Sequence, residues 1–242
     1  MNKKQGINLR VIDAFKDISN SSLNELLKEL KVYKFSIGQL MCQKSLIPNT
    51  ILFVADGEAR IVQNEGTNSQ IISKLKVNSV IGLSSILRVK ACENISASSD
   101  VIAIGISDKV IIKLYEDDQE FRDWCNKNIF ITEIYELGVY LYNQSPKNQK
   151  LEIEEFINIL SKNIELITIK NGCKIESNEN FINLAGSNNI ENKELFDFLD
   201  EDIINTRGPF PARVFQIKKS IYDSISFLEI QEQQSNQIVD LD

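Results

Sequence analysis

The sequence predicts an α+β protein: an antiparallel β-roll, jelly-roll-like in layout, with flanking helices and a smaller α+β domain behind it. Three observations lead there. Residues 33–106 are a train of short apolar runs broken by turn residues; from Ser107 the apolar spacing becomes helical; and after Ser145-Pro146-Lys147-Asn148 a shorter strand train follows.

In chain order, Ser22-Leu23-Asn24-Glu25 has Ser at a helix cap and Glu three positions on, a pattern that satisfies the first free N–H groups. It predicts a helix to Leu30 with Leu23, Leu26, Leu27 and Leu30 on one face. Val32, Phe35 and Leu40 alternate about the turn Ser36-Ile37-Gly38-Gln39. Asp56-Gly57 between apolar runs predicts a hairpin, because Gly tolerates the positive φ such turns need. Residues 64–69 read as a loose polar connection to a strand over 70–76. Val80-Ile81-Gly82-Leu83 opens a short helix inside the roll, and strands follow at 93–99 and 101–104.

Val110, Ile111 and Leu114 fit a short helix that ends at Asp117-Asp118. Phe121, Trp124, Cys125, Asn128, Ile131 and Ile134 begin a helical stripe that predicts one long helix over 121–142. Its apolar face is wide enough to pack on the roll and to offer a surface for a homodimer. A helix over 151–160 follows, then residues 165–186, which echo the first roll. There Gly172-Cys173-Lys174-Ile175 stands for Gly38-Gln39-Leu40-Met41, and residues 181–186 stand for 51–57. A short acidic helix over 192–199 and a strand over 213–217 complete the expected elements. The domains are thus 1–145 for the roll with its closing helix, 150–225 for a small α+β domain that is either a degenerate second roll or a hairpin alike by chance, and 226–242 for a polar, frayed tail.

Composition narrows the function. With 242 residues, 43% hydrophobic and 25% charged, the chain buries an ordinary globular core. No apolar run approaches the roughly 20 residues that span a bilayer, and the N-terminal lysines lead into no apolar stretch, so a cytoplasmic location is expected. The cysteines at 42, 92, 125 and 173 show no paired spacing, as for reduced thiols. There is no histidine at all, which removes Ser-His and Cys-His nucleophilic catalysis and imidazole metal sites. Neither common phosphate-cradling glycine loop is present. The expectation is therefore no enzyme, no catalytic residue, no metal and no cofactor. Residues 1–120 carry 15 Lys and Arg against 14 Asp and Glu, a net of +1, whereas 121–242 carry 12 against 20, a net of −8. Such a second half repels nucleic acid rather than binding it.

The order of entry helix, roll, Gly-led short helix within the roll and closing helix, over residues 23–142, resembles the cyclic-nucleotide-binding β-roll family of catabolite-activator-type regulators and kinase regulatory subunits. In that family a Phe-Gly-Glu-Leu/Ala turn presents helix N–H groups to the cyclic phosphate, the Glu takes the ribose hydroxyl and a later Arg pairs with the phosphate. Ile81-Gly82-Leu83-Ser84 matches the turn, with Leu83 in the place of the Glu. The Arg position falls at Ala91 or Cys92, with Glu93 directly after. An apolar side chain binds no hydroxyl, and a carboxylate beside a phosphate is unfavourable, so tight binding of cAMP or cGMP is not expected. The candidate ligand-binding residues of this altered cassette are Gly82, Leu83, Ser84, Ser85, Arg88, Cys92 and Glu93, for a small anion. Against this, Arg88 and Lys90 read as solvated loop cations and Ser84 and Ser85 as helix caps.

A narrower resemblance links 81–88, Ala91-Cys92-Glu93 and Ala97-Ser98 to the N-terminal domain of cyanobacterial peptide-exporting ABC transporters, whose cassette reads Gly-Trp-x-x-Leu-Leu-Arg-Gly-x-x-Cys-Glu. The Trp is missing here. Pro209-Phe210-Pro211-Ala212-Arg213-Val214 is similar to their Leu-Pro-x-Arg-Leu segment. This resemblance implies a regulatory or docking piece at the cytosolic face of an exporter, with the rest of the transporter as partner. The alternative is a catabolite-activator-type transcription regulator. Its helix-turn-helix would fall at 178–199, where the recognition helix would carry Glu191, Glu194, Asp197 and Asp200.

Overall fold

The computed structural model describes residues 8–65, 68–144, 152–176, 178–200 and 203–226. The chain divides into two compact units, residues 1–128 with 208–210, and 129–207 with 211–242.

The first unit opens with two short 3-10 turns and helix α1 (Asn20–Glu29). Its cap is Ser19, whose Oγ accepts the Ser22 N–H at 3.1 Å, so the helix begins one turn earlier than the Ser22 cap expected from the sequence. The expected face is correct: Leu26 and Leu30 are buried and Leu23 and Leu27 half-buried. Strands β1 (Lys31–Phe35), β2 (Leu40–Cys42), β3 (Thr50–Asp56), β4 (Ala59–Glu65), β5 (Asn68–Leu75) and β6 (Val80–Ile81) precede the short helix α2 (Leu83–Leu87). Then come β7 (Ile95–Ala97), β8 (Val101–Ser107), α3 (Asp108–Asp117) and α4 (Gln119–Lys127). Two antiparallel sheets result, in the orders β1-β8-β3-β6 and β2-β7-β4-β5. Leu52, Val54, Ile61, Ile95 and Ala103 fill the space between them. Phe53, on the other face of its strand, meets Phe15 at 4.6 Å between ring centroids. The roll with flanking helices is the architecture expected from the sequence.

Two local expectations fail. Asp56-Gly57 does not close a hairpin, because β3 pairs with β6 and β8 while β4 pairs with β5 and β7. The turn instead carries the chain from one sheet to the other. Gly57 has φ +83°, and a Cβ there would collide with the Asp100 carbonyl oxygen. The hairpin of this region is β4–β5, whose strands extend into the stretch expected as a loose connection; residues 66 and 67 lie outside the described residues.

The single helix expected over 121–142 is two, α4 and α5 (Ile131–Gln144), and they belong to different units. Asn128 leaves the helical region at φ −80°, ψ 129°, and its side-chain amide turns back to donate to the Trp124 carbonyl at 3.2 Å. The next helix is capped by Glu133, whose carboxylate accepts the Phe130 N–H at 2.8 Å.

In the second unit follow α6 (Ile153–Ser161), β9 (Ile164–Ile169), β10 (Cys173–Lys174), β11 (Phe181–Ala185), β12 (Ile203–Ile204), β13 (Ala212–Lys218) and α7 (Lys219–Ser226). Residues 192–199 are turns rather than the expected acidic helix, with Phe196 at φ +70°. With β11 occupying the start of 178–199, no helix-turn-helix is built there. The boundary expected at 145–148 lies outside the described residues, as does the tail expected at 226–242 apart from Ser226, which ends α7.

The pairing pattern of the second unit repeats that of the first. Strand β13 lies between β9 and β11 as β8 lies between β1 and β3, and β10 pairs with β12 as β2 pairs with β7. Gly172 donates to Ile204 O at 2.8 Å as Gly38 donates to Ala97 O at 2.8 Å, both at positive φ. Ala185 exchanges backbone bonds with Asp197 O and the Phe196 N–H, as Val54 does with Ser79 O and the Asn78 N–H. Asn78 and Phe196 share the left-handed conformation, at φ +73° and +70°. Two parts have no counterpart among the described residues of the second unit. One is the β4–β5 hairpin. The other is the cassette: only 200–202 separate Leu199 from Ile203, where 82–95 separate Ile81 from Ser96.

Candidate functional site

The cassette begins where β6 ends. Gly82 takes φ +91° to turn the chain from β6 into α2, and a Cβ there would lie 2.8 Å from Pro48 Cγ. Two constraints therefore converge on glycine, conformation and space. Helix α2 is a single short turn, and the Leu83, Ser84 and Ser85 at its start are each 0% exposed. Leu83, in the position the resemblance gives to a ribose-binding carboxylate, is core.

The polar members of the cassette are turned toward one another. Ser84 Oγ lies 3.3 Å from Cys92 Sγ, and Ser85 Oγ lies 3.4 Å from the same sulfur. Ser85 also accepts the Cys92 N–H at 3.2 Å and donates to Glu93 Oε2 at 3.2 Å. The serines therefore do not cap α2, which has no side-chain cap; they tie it to the following loop. Arg88, expected as a solvated cation, is 0% exposed, and Glu93 is 2% exposed. Lys90 is half-buried. Val89 between them sits at φ +51°, a costly conformation for a β-branched residue, with its N–H donating to the Ile86 carbonyl at 3.1 Å.

Both charges act on the thiols. Burial, then the Glu93 carboxylate, push Cys92 up to about 11, while Arg88 and the two serine hydroxyls pull the other way. Cys42 on β2 is pushed up to about 12 by burial, then by Glu93 and Cys92. Thiols so raised are neutral at pH 7 and are poor nucleophiles. Thus Ser84, Ser85, Cys92 and Glu93 are bonded to one another, and Leu83 and Arg88 beside them are fully buried. Among the described residues no group of three or more Cys, Asp or Glu is set to hold a metal ion, and no helix is long and apolar enough to cross a membrane.

A second polar cluster had no sequence signal beyond the Pro-x-Arg segment. In the second unit Arg213 on β13 grips Glu133 on α5 by two bonds, Nε to Oε1 at 2.7 Å and Nη2 to Oε2 at 2.8 Å, with both side chains 2% exposed or less. The Phe130 ring lies 5.7 Å from the guanidinium, and Ser187 Oγ accepts the Arg213 N–H at 3.0 Å. These partners stand 80 residues apart, so periodicity does not reveal them.

No family model matches the chain. A cyclic nucleotide-gated channel of Caenorhabditis elegans is 26% identical over 157 residues, which are 62% of this chain and 21% of the channel. The chain thus spans about a fifth of that relative. A solved cyclic nucleotide-binding domain from Methylobacillus flagellatus KT is similar at 16% identity, over 45% of this chain and 65% of that one, with a TM-score of 0.39. The regulatory domain of Toxoplasma gondii PKA, solved with cAMP, matches at 8% identity over 100% of this chain and 99% of its own, with a TM-score of 0.45.

Proposed function

We propose that the first roll is a non-catalytic regulatory module of the cyclic-nucleotide-binding type that has given up ligand capture for internal closure. One observation carries this: the start of α2 and the one arginine of the cassette are fully buried, and Ser84, Ser85, Cys92 and Glu93 are bonded to one another. Anion capture needs the helix-start N–H groups and a cation open to the ligand. The gated-channel relative supports a regulatory role attached to a larger machine. The exporter-like cassette and Pro-x-Arg segment support an ABC-type peptide exporter as that machine, with this chain at its cytosolic face and the transporter as its protein partner.

Calorimetry with cAMP, cGMP and a panel of small anions on the whole chain tests the closed cassette. The expected result is no saturable heat; micromolar affinity for either nucleotide would refute it. The exporter association is tested in the flanking coding sequence. An in-frame or adjacent transporter ATPase supports it, and a locus without one overturns it.

A further inference from the structure

The second unit has an open cleft at a place that the Tyr33 and Phe35 rings occupy in the first. It measures about 700 Å³ and is lined by Ile167 and Ile169 of β9, Gln216 of β13, and Lys174, Glu176 and Glu179 among the residues at its rim. Register shows what fills this place in the first unit. Phe35 and Tyr33 pair with Val101 and Ala103 as Ile169 and Ile167 pair with Ala212 and Val214, and each strand leads to its turn glycine three residues on. Gly105 opposite Lys31 corresponds to Gln216 opposite Glu165. In the first unit the Tyr33 ring occupies the space over Gly105, so that a Cβ there would strike it, and Tyr33 stacks on Phe35 at 6.4 Å.

The second unit replaces those two rings by shorter isoleucines. It also exchanges the Leu52–Gly105 strand pair for Asn183–Gln216, whose amides bond at 2.9 Å on the same face of the sheet. Asn183 is 5% exposed. Where the first unit has apolar Leu52 and a glycine, this face thus carries a hydrogen-bonded amide pair, the kind of polar group that orients a ligand in an otherwise apolar site. The β4–β5 hairpin that forms the outer part of the opposing sheet in the first unit has no counterpart among the described residues here. What remains is a volume within the range of small-molecule sites, with an apolar wall, an amide beside it, and a rim of two carboxylates against one ammonium.

We propose that this cleft binds a small aliphatic amine, its alkyl stem on Ile167 and Ile169, an N–H on the Gln216 amide oxygen, and its ammonium toward Glu176 and Glu179. The rim's charge balance and the acidic half of the chain that carries it both favour a cation over an anion. The site is independent of the closed cassette in the first unit.

The test is titration of the ¹⁵N-labelled full chain with 1,5-diaminopentane, followed by amide shifts. Saturable shifts are expected at Ile167, Ile169, Lys174 and Gln216, with the equal-length dicarboxylate giving none. The double variant Ile167→Tyr, Ile169→Phe, which restores the rings of the first unit, should weaken binding at least about tenfold. Glu179→Gln should weaken it about threefold, as for one exposed charge contact, and it tests the site even if the double variant does not fold. Absence of localised shifts at about 10 mM diamine overturns the proposal. So do shifts that persist in a folded double variant, or equal response to the dicarboxylate.

Discussion

Asp118 holds two parts of the first unit with one carboxylate. Its Oδ1 accepts the Phe121 N–H at 3.1 Å and so caps α4, while its Oδ2 accepts the backbone N–H of Ser19 at 2.9 Å, at the start of α1. Burial pushes this carboxyl up, but the bonds from Ser19, Ser22 and Phe121 outweigh it and hold the group below its ordinary value. Read along the chain, Asp117-Asp118 is only a helix stop; the contact to residue 19 appears once the chain is folded. The cysteines allow a sharper test at this scale. Cys42, Cys92 and Cys125 are buried and Cys173 is exposed. A thiol reagent at pH 8 should therefore titrate one thiol in the native protein and four in denaturant. Cys42 and Cys92 are raised from 9.0 to about 12 and about 11, so above pH 9 the unfolded chain loses their protons first. Stability should be intact below pH 9 and fall as pH rises toward 11 and 12. Denaturant midpoints measured across pH 8–11 check it, and a rising midpoint would contradict it.

At the scale of elements, those that were legible are the ones whose partners are close in sequence or whose faces repeat. The face of α1, the Gly-led α2, the end of α3 and the strand at 213–217 all follow from local periodicity and turn chemistry. The failures share a cause in tertiary pairing. Asp56-Gly57 has hairpin chemistry, but β3 finds its partners in β6 and β8. The long helix breaks at Asn128, a polar member of its apolar stripe, and Glu133 starts the next helix. The cassette was legible in position but not in burial, because nothing local says that Arg88 turns inward. The Glu133–Arg213 pair gives the prediction at this scale. Glu133→Ala leaves a buried guanidinium without its bidentate partner and should cost about 3–5 kcal/mol in chemical denaturation. Replacing both residues by methionine should recover most of that loss. A loss below about 1 kcal/mol for the single variant would show that the pair is not what secures α5 to β13.

For the molecule as a whole, repetition with deletion is the main theme. Strand order, turn glycines and the left-handed residues 78 and 196 recur, while a hairpin and a cassette are present in one unit and missing from the described residues of the other. The sequence showed the echo at Gly38 and Gly172, but its extent emerges only from register, because corresponding positions hold residues as unlike as Gly105 and Gln216. The units are also not consecutive: residues 208–210 return to the first, where the Phe210 ring meets Tyr115 edge-on at 4.9 Å. Residues 1–128 produced alone should therefore melt several degrees below the same transition in the whole chain, as expected for the loss of one buried aromatic contact from a unit of this size. Equal melting temperatures by calorimetry would refute this.

That return also bears on synthesis. A ribosome releasing the chain from its amino end has finished every strand of the first roll long before it reaches Phe210. Tyr115 then waits through the making of 95 further residues, from 115 to 210, for the ring that completes its surroundings. The roll translated earliest is sealed late, by a piece borrowed from downstream.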